Sequence, residues 1–375
     1  MGITGLLPML SNSIKKKPIS KYKNKKIGID GHCWLYQISN LIAEELYYGI
    51  ETTRHLNILN YKLKALQKHN ITPCFVFDGD SLESKEVTNN KRKEQKEKIK
   101  REIELLLKAN NLSRAKELMK RCVSINEYFL CSVLEFLKKN DIEFIISPYE
   151  SDAQLTYLQR INYIDYILTE DSDLILFGCT NILYKFDLVH VHEFDNKTFM
   201  KNNDQNFVKN LLEICILNGC DYLEGLPGVG LKTAIKLFEK HKTLEEVIEN
   251  RKLKGNVPAD YLESVQRAKL TFAHQVVYCP LQEKRIHLTE MSDNYPYSFL
   301  GRVISNATEF SRGHFLLNRM SKNFLSIPKE EYKNPVKTED KVIYSFEKKK
   351  IKSIKEKEIV IDENEESPFF KKNNK

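Results

Sequence analysis

Four short apolar runs, each leading into a carboxylate, constrain this chain more than any other feature. They are Lys26-Ile27-Gly28-Ile29-Asp30, Cys74-Phe75-Val76-Phe77-Asp78, Phe144-Ile145-Ile146 before Glu150 and Asp152, and Tyr166-Ile167-Leu168 before Asp171 and Asp173. Runs that are continuously apolar, rather than alternating, fit strands buried on both faces, and the longer helical patterns between them supply the crossovers that parallel strands need. The expectation is therefore an α/β fold with a mostly parallel central sheet flanked by helices. Ligands of such sheets bind beyond the carboxyl ends of the strands, which is where these acids stand. Asp221, at the end of an apolar helix in Leu217-Asn218-Gly219-Cys220-Asp221, can join them.

One Asp after a strand needs no special explanation, because it caps the next helix. Seven acids from five segments are different: at one sheet edge they would repel and raise one another's pKa unless cations neutralised them. An all-oxygen set without His or Cys points to Mg²⁺ or Mn²⁺, and two such ions suit phosphodiester hydrolysis. The eight cysteines show neither CxxC pairs nor a Cys/His rhythm, so neither a zinc site nor a disulfide framework is indicated, and a reducing compartment fits. No apolar run reaches 18 residues and the N-terminus has no leader pattern, so a soluble intracellular protein without a membrane span is expected.

Residues 81–121 carry 13 Lys and Arg against seven Glu, without Pro or Gly, which reads as charged helices projecting between two strands. Gly225-Leu226-Pro227-Gly228-Val229-Gly230-Leu231-Lys232 joins two helices, and its glycines allow main-chain N–H groups to face a phosphate. From about residue 327 the composition turns to Lys, Glu and Asn, the signature of a disordered tail.

Met1-Gly-Ile-Thr-Gly-Leu-Leu-Pro, Ile27-Gly-Ile-Asp-Gly, Val76-Phe-Asp-Gly, Pro148-Tyr-Glu-Ser-Asp-Ala-Gln, Thr169-Glu-Asp-Ser-Asp-Leu and Gly219-Cys-Asp-Tyr with Gly228-Val-Gly resemble the ordered motifs of the flap endonuclease (XPG) superfamily. Trp34, Phe177-Gly178-Cys179 and Gln275-Val276-Val277-Tyr278-Cys279-Pro280 are most similar to its eukaryotic exonuclease I family. The resemblance implies a PIN-like 5′ nuclease fold with a core over 1–325: an N-terminal nuclease region at 1–100, a helical arch at 81–132, an internal nuclease region at 138–225, a helix–two-turn–helix module at 207–240, and a tail at 326–375.

By the same resemblance Asp30, Asp78, Glu150, Asp152, Asp171, Asp173 and Asp221 would hold two Mg²⁺ ions, with Mn²⁺ able to substitute, while Lys85 and Arg92 would reach the scissile phosphate. Gly2, His32, Tyr36, Gly228, Gly230 and Lys232 would contact DNA, His32 and Tyr36 by stacking on terminal bases. The module would hold a K⁺ ion through main-chain oxygens. Trp34, on the opposite helical face, reads as core.

The implied activity is Mg²⁺-dependent 5′→3′ hydrolysis of double-stranded DNA at 5′ ends, nicks or gaps, with 5′ flap cleavage, giving 5′-phosphates in nuclear DNA repair by a monomer. A dedicated flap endonuclease, an RNA-directed enzyme and a catalytically silent DNA-binding scaffold are the alternatives. Ser367-Pro368-Phe369-Phe370 resembles the peptide by which family members dock MutL-type mismatch-repair proteins, and fits a sliding-clamp peptide less well.

Overall fold

A computed structural model describes residues 2–50, 52–241, 243–252, 257–291, 297–303 and 307–313. The strands are β1 (Ile14–Pro18), β2 (Lys26–Asp30), β3 (Thr72–Phe77), β4 (Glu143–Ile146), β5 (Tyr166–Leu168), β6 (Asn181–Tyr184), β7 (His190–Asp195), β8 (Val276–Cys279) and β9 (Lys284–His287). Seven of them form one sheet in the order β1-β7-β6-β5-β2-β3-β4, and β8 and β9 form a separate hairpin. The pairs from β6 through β4 are parallel, and β7 joins β6 and β1 antiparallel. The expected mostly parallel sheet is thus present, with an antiparallel margin that the four apolar runs do not announce. β1 has three lysines in five residues and β7 four polar residues in six, as suits strands away from the doubly covered centre.

Alternation sorts the central residues onto two cores. Phe75 and Phe77 face one cluster with Ile27, Ile29, Trp34 and Leu168, while Cys74 and Val76 face the other with Leu155, Ile167 and Ile214. Trp34 is buried, stacked on Phe186 with ring centroids 6.0 Å apart, in keeping with its reading as core. The register aligns the strand ends: Asp30 lies opposite Val76, Ile29 opposite Leu168, and Phe77 opposite Ile146. One rim therefore collects whatever follows each strand.

Between β3 and β4 the chain leaves the sheet as a 23-residue helix, Glu86–Lys108, followed by Leu112–Cys122. Only Ile99 and Ile103 of the long helix are buried, against Ala115, Leu118 and Met119 of its neighbour, so the pair is held by one narrow apolar seam while its charges face outward. The tail expected over 326–375, Ser367–Phe370 included, lies outside the described residues. Among the described residues no helix is long and apolar enough to cross a membrane.

Behind the sheet, the helix Arg54–Gln67 buries His55, whose Nε2 is 2.8 Å from Ser132 Oγ and whose ring lies 4.5 Å from Phe129. Burial pulls this imidazole down to about 4. An unfolded chain takes up that proton near pH 6.5, so the contribution is intact above that pH and is lost as pH falls toward 4. At about 1.4 kcal/mol per pKa unit the loss is on the order of 3 kcal/mol. Urea unfolding at pH 7.5 and 4.5 should show the native chain losing more stability than His55→Gln; equal losses would mean the ring is not held neutral.

Candidate active site

The aligned strand ends bring six of the acids to one rim, and Lys85 and Arg92 tie Asp221 to it. Asp30, closing β2, caps the helix Gly31–Ser39 by accepting Cys33 N–H at 3.0 Å, and takes a second bond from Thr169 Oγ1 at 2.8 Å. Asp78 follows β3 and accepts Ser151 N–H at 2.8 Å, tying the β3 end to the helix that carries Asp152. Asp171 accepts Asp173 N–H at 3.0 Å, and Asp173 accepts Ile3 N–H at 2.9 Å. Asp221 follows the helix Gln205–Asn218.

Lys85, in the turn Glu83–Lys85 at the foot of the long charged helix, places its ammonium between Glu150 Oε1, with which it makes a short contact, and Asp221 Oδ2 at 2.9 Å. Arg92, two turns up, reaches Asp221 Oδ1 at 2.7 Å. The two cations expected at the phosphate thus lie on the carboxylate rim. Thr88 Oγ1 donates to Asp221 O at 2.8 Å, and Glu83 pairs with Arg267 at 2.7 Å, so the foot of the helix is pinned from both sides.

Electrostatics divides the acids. Burial, followed by the charge of Asp78, pushes Asp30 up to about 7. Burial and then Asp171 raise Asp152 and Asp173 well above the ordinary carboxylate range, and Asp171 is raised by burial as well. Burial also pushes at Asp78 and Asp221, but His32 and Lys85 hold the first below its ordinary value, and Lys85 and Arg92 hold the second. Lys85, Arg92 and His32 therefore serve the Glu150, Asp78 and Asp221 side, whereas at Asp30, Asp152, Asp171 and Asp173 burial outweighs the positive charge that reaches them.

Among the described residues no three His, Cys, Asp or Glu side chains close on one point as a coordination shell would. The donor set nevertheless fits hard divalent cations. It is all carboxylate, four of its members (Asp30, Glu150, Asp171 and Asp173) are buried, and its partly compensated half already draws in the Lys85 ammonium.

Gly2 comes against this rim from the chain start. At φ 85°, a Cβ placed there would fall 2.4 Å from Asp171 Oδ1 and 2.3 Å from Ser172 Oγ, so only glycine admits this approach. His32 Nδ1 accepts Asp78 N–H at 3.0 Å, and Tyr36, 36% exposed, presents its ring 5.9 Å from Lys96 Nζ. Gly228 takes φ 73° in the turn after Asp221, Gly230 caps the helix Leu231–Lys240, and Lys232 is exposed in its first turn. The turn begins four residues after Asp221 in the chain.

Sequence reasoning missed Tyr222, whose hydroxyl donates to Glu150, and Thr169, which orients Asp30. Both are neighbours of named acids. The signal was there in position but not in residue type.

This rim on this sheet defines the class: the fold is the flap endonuclease/XPG 5′ nuclease fold. The catalytic core of Rad2 in complex with DNA substrate superimposes with a TM-score of 0.52 over 82% of this chain and 89% of that one, at 21% identity. The XPG N-terminal domain matches residues 1–99 and the XPG I-region residues 141–221. Exonuclease 1 of Arabidopsis thaliana is 38% identical over 301 residues, covering 78% of this chain and 41% of that protein. The DNA damage-inducible protein DIN7 of Saccharomyces cerevisiae is 31% identical, over 76% of this chain and 68% of its own length. The chain belongs to the exonuclease 1 branch of the XPG family. It spans about half the length, or less, of the first curated relatives it matches.

Proposed function

We propose that this chain is a divalent-metal-dependent 5′ nuclease that hydrolyses DNA phosphodiesters from 5′ ends, nicks, gaps or flaps. The observation that carries the reading is the rim itself: six acids that follow the strand ends and Asp221 after a helix, with Lys85 and Arg92 reaching the rim from the base of a basic helix. Binding alone would need basic groups and gain nothing from clustered carboxylates, which disfavours a silent scaffold.

The residues would share the work as follows. Asp30, Asp78, Glu150, Asp152, Asp171, Asp173 and Asp221 would hold two Mg²⁺ or Mn²⁺ ions, which supply water activation and charge neutralisation at the phosphate. Lys85 and Arg92, now paired with carboxylates, lie where a phosphate would compete for them, and their charge offsets the negative charge developing on it. Tyr36 and His32 offer rings to a terminal base beside Asp78. Gly228, Gly230 and Lys232 would grip a phosphate of the uncut duplex, with main-chain oxygens of the same turn taking K⁺.

Nuclear DNA repair is the setting of choice, since relatives include a DNA damage-inducible protein. Docking to a MutL-type protein or a sliding clamp through Phe369 and Phe370 belongs to the same reading.

A nicked duplex, a 5′ flap and an RNA duplex, incubated side by side with Mg²⁺, test it. Short products should leave the DNA substrates from the labelled 5′ side, and chelation should stop them. Release from the 3′ end first would overturn the polarity; binding without any cutting would favour the scaffold, and preference for the RNA duplex would reassign the substrate.

A further inference from the structure

Two sequence motifs more than a hundred residues apart lock together behind the carboxylate rim. In the helix Ser151–Arg160, Gln154 donates from Nε2 to Tyr278 O at 2.7 Å and accepts Tyr278 N–H on Oε1 at 2.7 Å, so its amide pairs with β8 as another strand would. One turn earlier in that segment, Glu150 Oε2 accepts Gln275 Nε2 at 3.3 Å and the Tyr222 hydroxyl, which itself accepts Gln275 Nε2 at 3.3 Å. Both glutamines are fully buried, which is uncommon for this residue type. If filling space were their task, Leu or Met would do it without the desolvation cost of an amide.

The two oxygens of Glu150 are treated differently. Oε1 meets the Lys85 ammonium, whereas Oε2 takes its hydrogen bonds, among the described residues, from the neutral Tyr222 hydroxyl and Gln275 amide. Neutral donors fix the direction of a carboxylate without cancelling its charge, so Glu150 keeps its aim and its negative charge if Lys85 turns away to a phosphate.

We propose that Gln275 and Tyr222 are positioning residues that fix the Glu150 carboxylate for a divalent cation, with the Gln154–Tyr278 pair locking their backbone in place. This rests on the reading of the rim as a cation site. It also assigns a role to a segment that lies beyond both matched XPG regions, which end at residue 221.

The test is calorimetric titration of the native chain, Gln275→Met and Tyr222→Phe with Mg²⁺, alongside single-turnover cutting of a nicked duplex at graded Mg²⁺. Loss of an outer hydrogen bond to a metal ligand should raise the Mg²⁺ dissociation constant on the order of 10-fold in each variant. The Mg²⁺ midpoint of cutting should move by the same factor, with the plateau recovered at saturation. Tyr222→Phe keeps the ring packed edge-on to Phe272 at 4.9 Å, so it remains a folded test should Gln275→Met lose stability. Folded variants with the native dissociation constant would overturn the positioning role and leave the metal site standing. A native chain that takes up no Mg²⁺ would overturn the cation site, and this proposal with it.

Discussion

Asp171→Ala and Asp173→Ala should each abolish phosphodiester cleavage, lowering the single-turnover rate by on the order of 10³-fold or more, while affinity for a nicked duplex stays near native. The size follows from the proposed two-metal reading: an ion that supplies several kcal/mol of transition-state stabilisation would be lost with its ligand, and each 1.4 kcal/mol is tenfold in rate. Affinity should survive because it resides in Lys and Arg, and removing a buried acid takes negative charge away from the side that meets a polyanion. Asp173 also accepts Ile3 N–H, so Asp173→Asn is the check that rate loss is not loss of the chain start. Rapid-quench cleavage and equilibrium binding measure the two halves. Near-native cutting by both alanine variants would sink the two-metal reading.

Lys85→Ala and Arg92→Ala should each cost about 10² in single-turnover rate, the scale of losing one preorganised charge at the phosphate. Lys85 is the more enclosed of the two, with 18% of its side chain exposed against 46% for Arg92, and it contacts two acids where Arg92 contacts one. Its removal leaves Glu150 and Asp221 without that ammonium, so Lys85→Ala should also tighten Mg²⁺ binding, whereas Arg92→Ala should do so less. A change confined to the DNA dissociation constant would reassign both residues to docking.

The centre of this fold was legible because strands buried on both faces must be written in Ile, Val, Phe and Leu. β2, β3, β4 and β5 stand within two residues of the apolar runs that announce them. β1, β6 and β7 were not legible for the converse reason: Ile14-Lys15-Lys16-Lys17-Pro18 is a margin strand with three lysines, and its pairing with β7 is set by tertiary contacts that no local pattern carries. The acids announced themselves by position after a strand. Gln275 and Tyr222 did not, because an amide or a phenol has no chemical signature in sequence until the carboxylate it orients is beside it. What drew attention to the Gln275 segment was resemblance, and the geometry supplied its physical content.

The bond from Ile3 N–H to Asp173 and that from Gln275 to Glu150 span 170 and 125 residues of chain. On the ribosome Asp30 is the first rim acid to emerge, and Gln275 follows it about 10–50 s later at ordinary elongation rates. A nascent chain that has only reached Asp221 has every rim acid but not yet the amide that aims Glu150. Aiming of Glu150 therefore waits for chain beyond the last rim acid, and a chain released between Asp221 and Gln275 carries the acids without that hydrogen bond.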